Sequence, residues 1–255
     1  MKTLLSAVVL VICLTQLAVS QVDQGWKPND ETRPNPPNIE PATSSTQEVP
    51  GKAPSDAVVL FDGKNLSQWL GEDSQPAKWK VADGYFEVVP KAGIIHTRQP
   101  FGDCQLHVEF SEPTPAHGES QERGNSGVFL HGQYEVQVLD SYQNKTYADG
   151  QVSAIYAQFP PLVNPARPPG QWQTYDIIFH GPRFDKDGKV LRPARFTVLL
   201  NGVLTQDNVE LSGPTGHHLR PPYKPGPDKQ PLALQDHGNP VRYRNIWIRE
   251  LKEGE

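Results

Sequence analysis

The chain has 255 residues, a formal net charge of −5 and two cysteines. A mildly acidic balance speaks against nucleic acid or an anionic membrane surface as the main partner. So few cysteines exclude a disulfide framework, and the fold must stand on its apolar core.

At the N-terminus Lys2 precedes the apolar run Leu4 to Leu17, and Ala18-Val-Ser20 follows as a small-x-small site. This is the pattern of a secretory signal peptide, residues 1–20, with cleavage after Ser20. The run is too short to span a bilayer stably, and no later segment reaches transmembrane length, so no integral membrane contact is expected. The mature protein is therefore read as secreted or periplasmic; loss of Lys2 leaves a net charge of −6. Cys13 falls inside the leader, which leaves Cys104 as a lone thiol, read as buried and structural. Residues 21–55 hold seven prolines and almost no aliphatic side chains. Too little apolar surface is available there to offset the ordering entropy, which predicts an extended, poorly packed linker.

Residues 56–255 are read as a single all-β domain, ordered from about Val58. Trp79 to Ala82, the Asp83-Gly84 turn and Tyr85 to Val89 predict a hairpin, and Gln105 to Phe110 alternates cleanly. Trp172 to His180 places Gln173, Tyr175, Ile177 and Phe179 on one face. Arg195 to Leu200, Asn201-Gly202 and Val203 to Thr205 form a second hairpin, because Asn-Gly suits the type I′ turn. The last strand, Val241 to Leu251, is apolar on both faces near Ile246, Trp247 and Ile248, as a central strand would be. Many short strands with Gly and Pro turns predict a two-sheet antiparallel β-sandwich, a jelly roll. The long proline-rich loops Phe159–Gly170 and Gly213–Pro231 are expected to shape a site.

The segment Gly124 to Asp140 is the most informative one. Read with period two, it turns His131, Gln133, Glu135 and Gln137 one way and Val128, Leu130, Tyr134, Val136 and Val138 the other. Such a polar row fits a sugar-binding or catalytic groove, or an outer strand facing water. Asp140 closes the segment, and Arg123, Asn125 and Ser126 lie in the turn that feeds it. Near the C-terminus Gln235 and His237 share a parity and are followed by Arg242 and Arg244. Histidine is the natural acid or base at neutral pH, and a carboxylate nearby orients it or shares a metal with it.

Several stretches together carry a family resemblance: Leu60-Phe-Asp-Gly-Lys-Asn-Leu66 with Trp69, Gly124 to Leu130 with Tyr134 to Asp140, Gly170 to Tyr175, Asn201-Gly202, Leu234 to Gly238 and Arg242 to Ile248. In that order they resemble the 3-keto-disaccharide hydrolase domain family, over nearly all of Val58 to Leu251. The resemblance implies a concanavalin A-like sandwich, export from bacteria and action on glycosides oxidised at C3. Gln173 and His131 depart from the family's commoner Asn and Arg. A ketone at C3 acidifies the C2 proton, so a base can remove it and the glycosidic oxygen leaves from C1 by β-elimination; water then completes net hydrolysis. Glu135, His237 and Asp140 are the expected catalytic residues, with Arg123, Asn125, His131, Gln137, Gln235, Arg242 and Trp172 expected to bind the small-molecule glycoside. The cofactor stays open: a divalent metal would stabilise the enediolate, with Glu135, Asp140 and His237 as its candidate ligands. Oligomeric state is not readable.

Two other classes compete. A non-catalytic carbohydrate-binding module would use the same amides, with Trp69, Trp79 or Trp172 stacked on a sugar ring. A conventional glycosidase needs two carboxylates across the bond, and Gln137 stands where the second would be expected.

Overall fold

The computed structural model describes residues 27–251, so the signal-peptide reading lies outside the described residues. Residues 27–38 belong to a unit separate from the one that begins at Ile39. They carry turns, one of them closed where Asp30 Oδ1 accepts from the Thr32 backbone N–H at 3.0 Å.

The regular structure of the second unit is nearly all strand. In chain order these are β1 (Val58–Phe61), β2 (Trp69–Gly71), β3 (Lys80–Ala82), β4 (Tyr85–Glu87), β5 (Ile95–Thr97), β6 (Cys104–Ser111), β7 (Ser126–Leu130) and β8 (Tyr134–Val138). They continue as β9 (Gln173–His180), β10 (Arg183–Phe184), β11 (Val190–Arg192), β12 (Arg195–Leu200), β13 (Val203–Glu210), β14 (Ala233–Leu234) and β15 (Arg242–Glu250). Eight form one sheet, ordered β13-β12-β9-β6-β15-β4-β3 with β1 also on β15; five form the other, β2-β5-β14-β7-β8. β10 and β11 make a separate ribbon. The pairings are antiparallel, and helix among the described residues is limited to the 3-10 turns Ser120–Glu122 and Ala148–Gly150. The expected antiparallel sandwich is the fold. No helix among the described residues is long and apolar enough to cross a membrane.

Alternation places the core. Tyr175, Ile177 and Phe179 of β9 are fully buried, as are Leu106, Val108 and Phe110 on neighbouring β6 and Val128, Val136 and Val138 on the facing sheet. Two rows of large apolar side chains meeting between sheets is what a sandwich core requires. Truncating one of them, such as Ile177→Ala, costs about 2–5 kcal/mol. At the β12–β13 hairpin Asn201 and Gly202 both have positive φ, 53° and 78°, the type I′ geometry that matches strand twist. Cys104 is fully buried and free, and desolvation pushes its thiol pKa up, which suits a structural role.

The double apolar character of the last strand has a local cause. The β15–β6 register shifts between Arg244 and Trp247, where Asn245 takes φ 45°. This bulge puts Tyr243, Ile246 and Ile248 in the core and Trp247 on the outer face, stacked on His107 at 4.9 Å.

The expectation of a poorly packed linker fails over residues 39–55. Arg244 donates to the Thr46 and Gln47 carbonyls at 2.5 and 3.1 Å, Ser45 donates to Glu109, and the Gln47 amide pairs with the Trp172 backbone at 2.7 and 3.0 Å. Polar contacts to a buried ion pair, Arg244–Glu109 at 2.7 Å, hold a segment that has almost no apolar side chains of its own. Composition alone could not reveal a partner of that kind.

Candidate active site

Gly124 to Asp140 is a hairpin, β7 and β8 joined by a turn at 131–133. His131 sits in that turn with φ 52°. The register pairs Phe129 with Glu135 and Gly127 with Gln137, so the odd-numbered positions of both strands share one face. Tyr134, Val136 and Val138 are buried beneath, as parity requires.

On that face lies a cavity of about 380 Å³. Its sheet-borne lining is Phe129, Glu135 and Gln137, with Gln235 and His237 from the segment that follows β14. β14 pairs with β7, which is how residues a hundred positions apart reach one cavity. Asp236, between the last two, points elsewhere and accepts from Gly93 N and Gly238 N. Loops and the Ser120–Glu122 turn supply the rest: Gln121, Glu122, Asn125, Tyr147, Tyr156, Thr215, Gly216 and His217. Thr215 is stitched to β8, donating to the Gln133 carbonyl at 3.1 Å and accepting from Glu135 N at 3.1 Å.

This covering makes the polar row a buried one. Glu135 is 6% exposed, and burial pushes its pKa up to about 8. Among the described residues no protein donor reaches its carboxyl oxygens. Gly127 is the only residue type that fits opposite: a Cβ there would lie 2.5 Å from Glu135 Oε1 and 2.7 Å from the Phe129 ring. Gln137 is held by Tyr175 of the larger sheet, whose hydroxyl donates to its carbonyl at 2.5 Å. Tyr243 and Ser126 link the sheets in the same way, Tyr243 Oη donating to Ser126 Oγ and that hydroxyl to the Gln235 carbonyl.

The cavity therefore assembles Glu135, Gln137, Asn125, Gln235 and His237. The other expected residues are elsewhere. Asp140 is buried against Arg123 at 2.6 Å and accepts from Tyr142 N, and Arg123 also donates to the Tyr142 carbonyl; neither lines the cavity. His131 packs edge-on against Phe179 at 4.9 Å, and burial pushes its pKa down to about 4. Arg242 pairs with Glu87 on the larger sheet and lies over Tyr85. Trp172 lies under the Arg244 guanidinium, 4.3 Å away. Trp69 and Trp79 are core residues whose indoles donate to the Leu60 and Gly93 carbonyls. Period-two reading treated one hairpin as one strand and could not see sheet membership; that accounts for His131, Arg242 and Trp172. Gln173 is also remote from the cavity, bonded to Asn201 and Arg167, so neither departure from the family pattern lines it.

The proposed metal set is not assembled either. Glu135 and His237 share the cavity, Asp140 does not, and no group of three His, Cys, Asp or Glu side chains comes together among the described residues. Sequence reasoning missed Gln121, Glu122, Tyr147, Tyr156 and His217. Of these only His217 had a signal, its place in the long loop read as site-forming.

Fold and cavity together define a two-sheet antiparallel β-sandwich with an amide-rich, acid-bearing cleft on its smaller sheet. The chain belongs to the 3-keto-alpha-glucoside-1,2-lyase-like domain family, whose pattern matches residues 56–249. A Parabacteroides distasonis protein assigned as a glycosyl hydrolase has the same structure at 46% identity and a TM-score of 0.83, covering 88% of this chain and 95% of that one. A second from that organism, 22% identical with a TM-score of 0.58, covers 77% of this chain and 94% of its own and shares the fold. A 3-keto-disaccharide hydrolase of Bacteroides thetaiotaomicron is 23% identical over 97% of this chain and 96% of its own length.

Proposed function

We propose that the protein is an exported enzyme that cleaves 3-keto-glycosides by proton abstraction and β-elimination. The observation that carries this reading is Glu135: a buried carboxyl free of protein donors, with its pKa pushed up to about 8, in the same cavity as His237. A raised pKa makes a carboxylate a stronger base without moving it out of the working pH range. In the ionised form Glu135 takes the C2 proton, and the C–H electron pair moves toward C3 to give an enolate. Collapse of the enolate forms the C1–C2 double bond, restores the ketone and breaks the C1–O bond. His237 donates a proton to the departing oxygen. The Glu135 carboxyl proton exchanges with solvent. Water then adds its oxygen at C1 and gives a proton to His237 while Glu135 protonates C2, which sums to hydrolysis and restores both groups. Family membership and the Bacteroides relative support the substrate class, and the leader-like residues 1–20 support export with cleavage after Ser20.

The reading of a binding module loses the three tryptophans named for it, since Trp69, Trp79 and Trp172 lie away from the cavity, and its ring stacking would fall to Phe129, Tyr147 or Tyr156. The decisive test is turnover of a panel of 3-keto-glycosides against their unoxidised parents. Keto-selective cleavage with solvent deuterium incorporated at C2 is expected. Equal cleavage of parent sugars would identify a conventional glycosidase, and binding without turnover a carbohydrate-binding module.

A further inference from the structure

One amide in the cavity cannot choose its orientation. Gln121 Nε2 donates to the Gly150 carbonyl at 2.9 Å and to Thr146 Oγ1 at 2.9 Å. A carbonyl only accepts, so Gln121 must present its nitrogen there and its oxygen to the other side. That oxygen accepts from Gln137 Nε2 at 3.0 Å. Gln137 Oε1 is then left as an acceptor with no partner among the described residues, on a side chain that is 1% exposed and lines the cavity. Buried polar atoms are nearly always paired, and one without a partner at a cavity wall marks a place where a ligand group completes the set.

We infer that Gln137, locked by Gln121, is the residue that reads one specific substrate hydroxyl. This rests on the reading that the cavity binds a sugar. A pinned acceptor admits only a donor. An ether, a ring oxygen or an ionised carboxylate brought to the same spot would set two acceptors against each other. The surroundings reinforce the choice: among the described residues no Lys or Arg lines the cavity, and Arg123 is engaged by Asp140 and the Tyr142 carbonyl. Gln235 Oε1 is also buried without a partner, but no hydrogen bond pins its amide, so it serves donor or acceptor alike. Gln137 is thus a specificity-determining residue and Gln121 its positioning residue. A site built to hydrogen-bond a hydroxyl discriminates strongly against the analogue that lacks it.

The test uses the full mature protein and equilibrium binding of a neutral disaccharide, its monodeoxy series and its 6-carboxylate, each as the parent and the 3-keto form. One deoxy analogue is expected to bind at least tenfold more weakly than the complete sugar, and the carboxylate at least tenfold more weakly too. Gln137→Met should weaken the complete sugar to the level of that one analogue without weakening the analogue further. Gln121→Met should give the same pattern at smaller amplitude, because Gln137 can then rotate. Gln137→Met removes one unpartnered acceptor and takes the donor from another, Gln121 Oε1, and should melt near the wild type. Gln121→Met takes the donor from the Gly150 carbonyl and the acceptor from Gln137 Nε2, and should melt lower. Tenfold or greater loss spread equally over every sugar in Gln137→Met, unchanged binding in that variant, or no binding of any sugar by the wild type would overturn the inference. Failure of 3-keto cleavage with the deoxy pattern intact would sink only the proposed reaction. Keto-selective cleavage with a flat deoxy pattern would sink only the role of Gln137.

Discussion

Glu135→Gln should make the protein inactive and, at alkaline pH, more stable. A groove residue turned to water would leave stability unchanged on substitution, but Glu135 is 6% exposed and takes no hydrogen bond on its carboxyl among the described residues. Its pKa is raised from 4.5 to about 8. With the folded pKa above the unfolded one, the native state holds the proton longer, so stability falls as pH rises from about 4.5 to 8 and is level above that. A shift of that size corresponds to about 5 kcal/mol as an upper bound. An unpartnered amide N–H in the variant takes back about 1–3 kcal/mol, which leaves a net gain of about 2–4 kcal/mol for Glu135→Gln above pH 8. The assay is urea unfolding of both proteins at several pH values between 4 and 9. Near pH 4 the variant should be less stable by about 1–3 kcal/mol, and the two curves should cross and then separate the other way up to pH 8. A separation that does not change with pH, or a variant less stable at pH 9, would refute the claim that a desolvated carboxyl stands in the cavity.

Further expectations concern activity and scaffold. With Glu135 as the base, kcat/KM should rise with pH and level off near pH 8; a profile that falls through pH 8 with no rising limb would assign it the acid role instead. His237→Gln should lower kcat by about 10²-fold, the usual scale for losing a positioned acid or base, while circular dichroism stays native. Gly127→Ala pushes a methyl against Glu135 Oε1 and the Phe129 ring, and should reduce kcat more than it reduces the melting temperature. Asp140→Asn should do the reverse, because its partner is Arg123 rather than substrate; a kcat loss at constant stability would restore it to the catalytic set. Arg244→Met leaves Glu109 buried without its guanidinium partner and removes the donors to Thr46 and Gln47. It should cost about 3–5 kcal/mol and expose residues 39–55 to limited proteolysis.

The strands, their faces and the Asn201-Gly202 turn were readable because side-chain alternation and turn stereochemistry are local: each depends on residues within a few positions. The same locality exposed Glu135 and Gln137 as one row and Gln235 and His237 as another. What joins those rows is the pairing of β14 with β7, a contact across about a hundred residues that no local period encodes. The hairpin turn at 131–133 and the bulge at Asn245 each changed which way a side chain points. They moved His131 into the core and set Trp247 opposite Ile246 and Ile248. Asp140, Arg242 and Trp172 had residue types suited to a site and found ionic or aromatic partners elsewhere. Residues 39–55 reverse the lesson. Their composition correctly excluded a core of their own, but their order comes from carbonyls and hydroxyls offered to Arg244 and Glu109, two charges that only the folded sheet holds side by side.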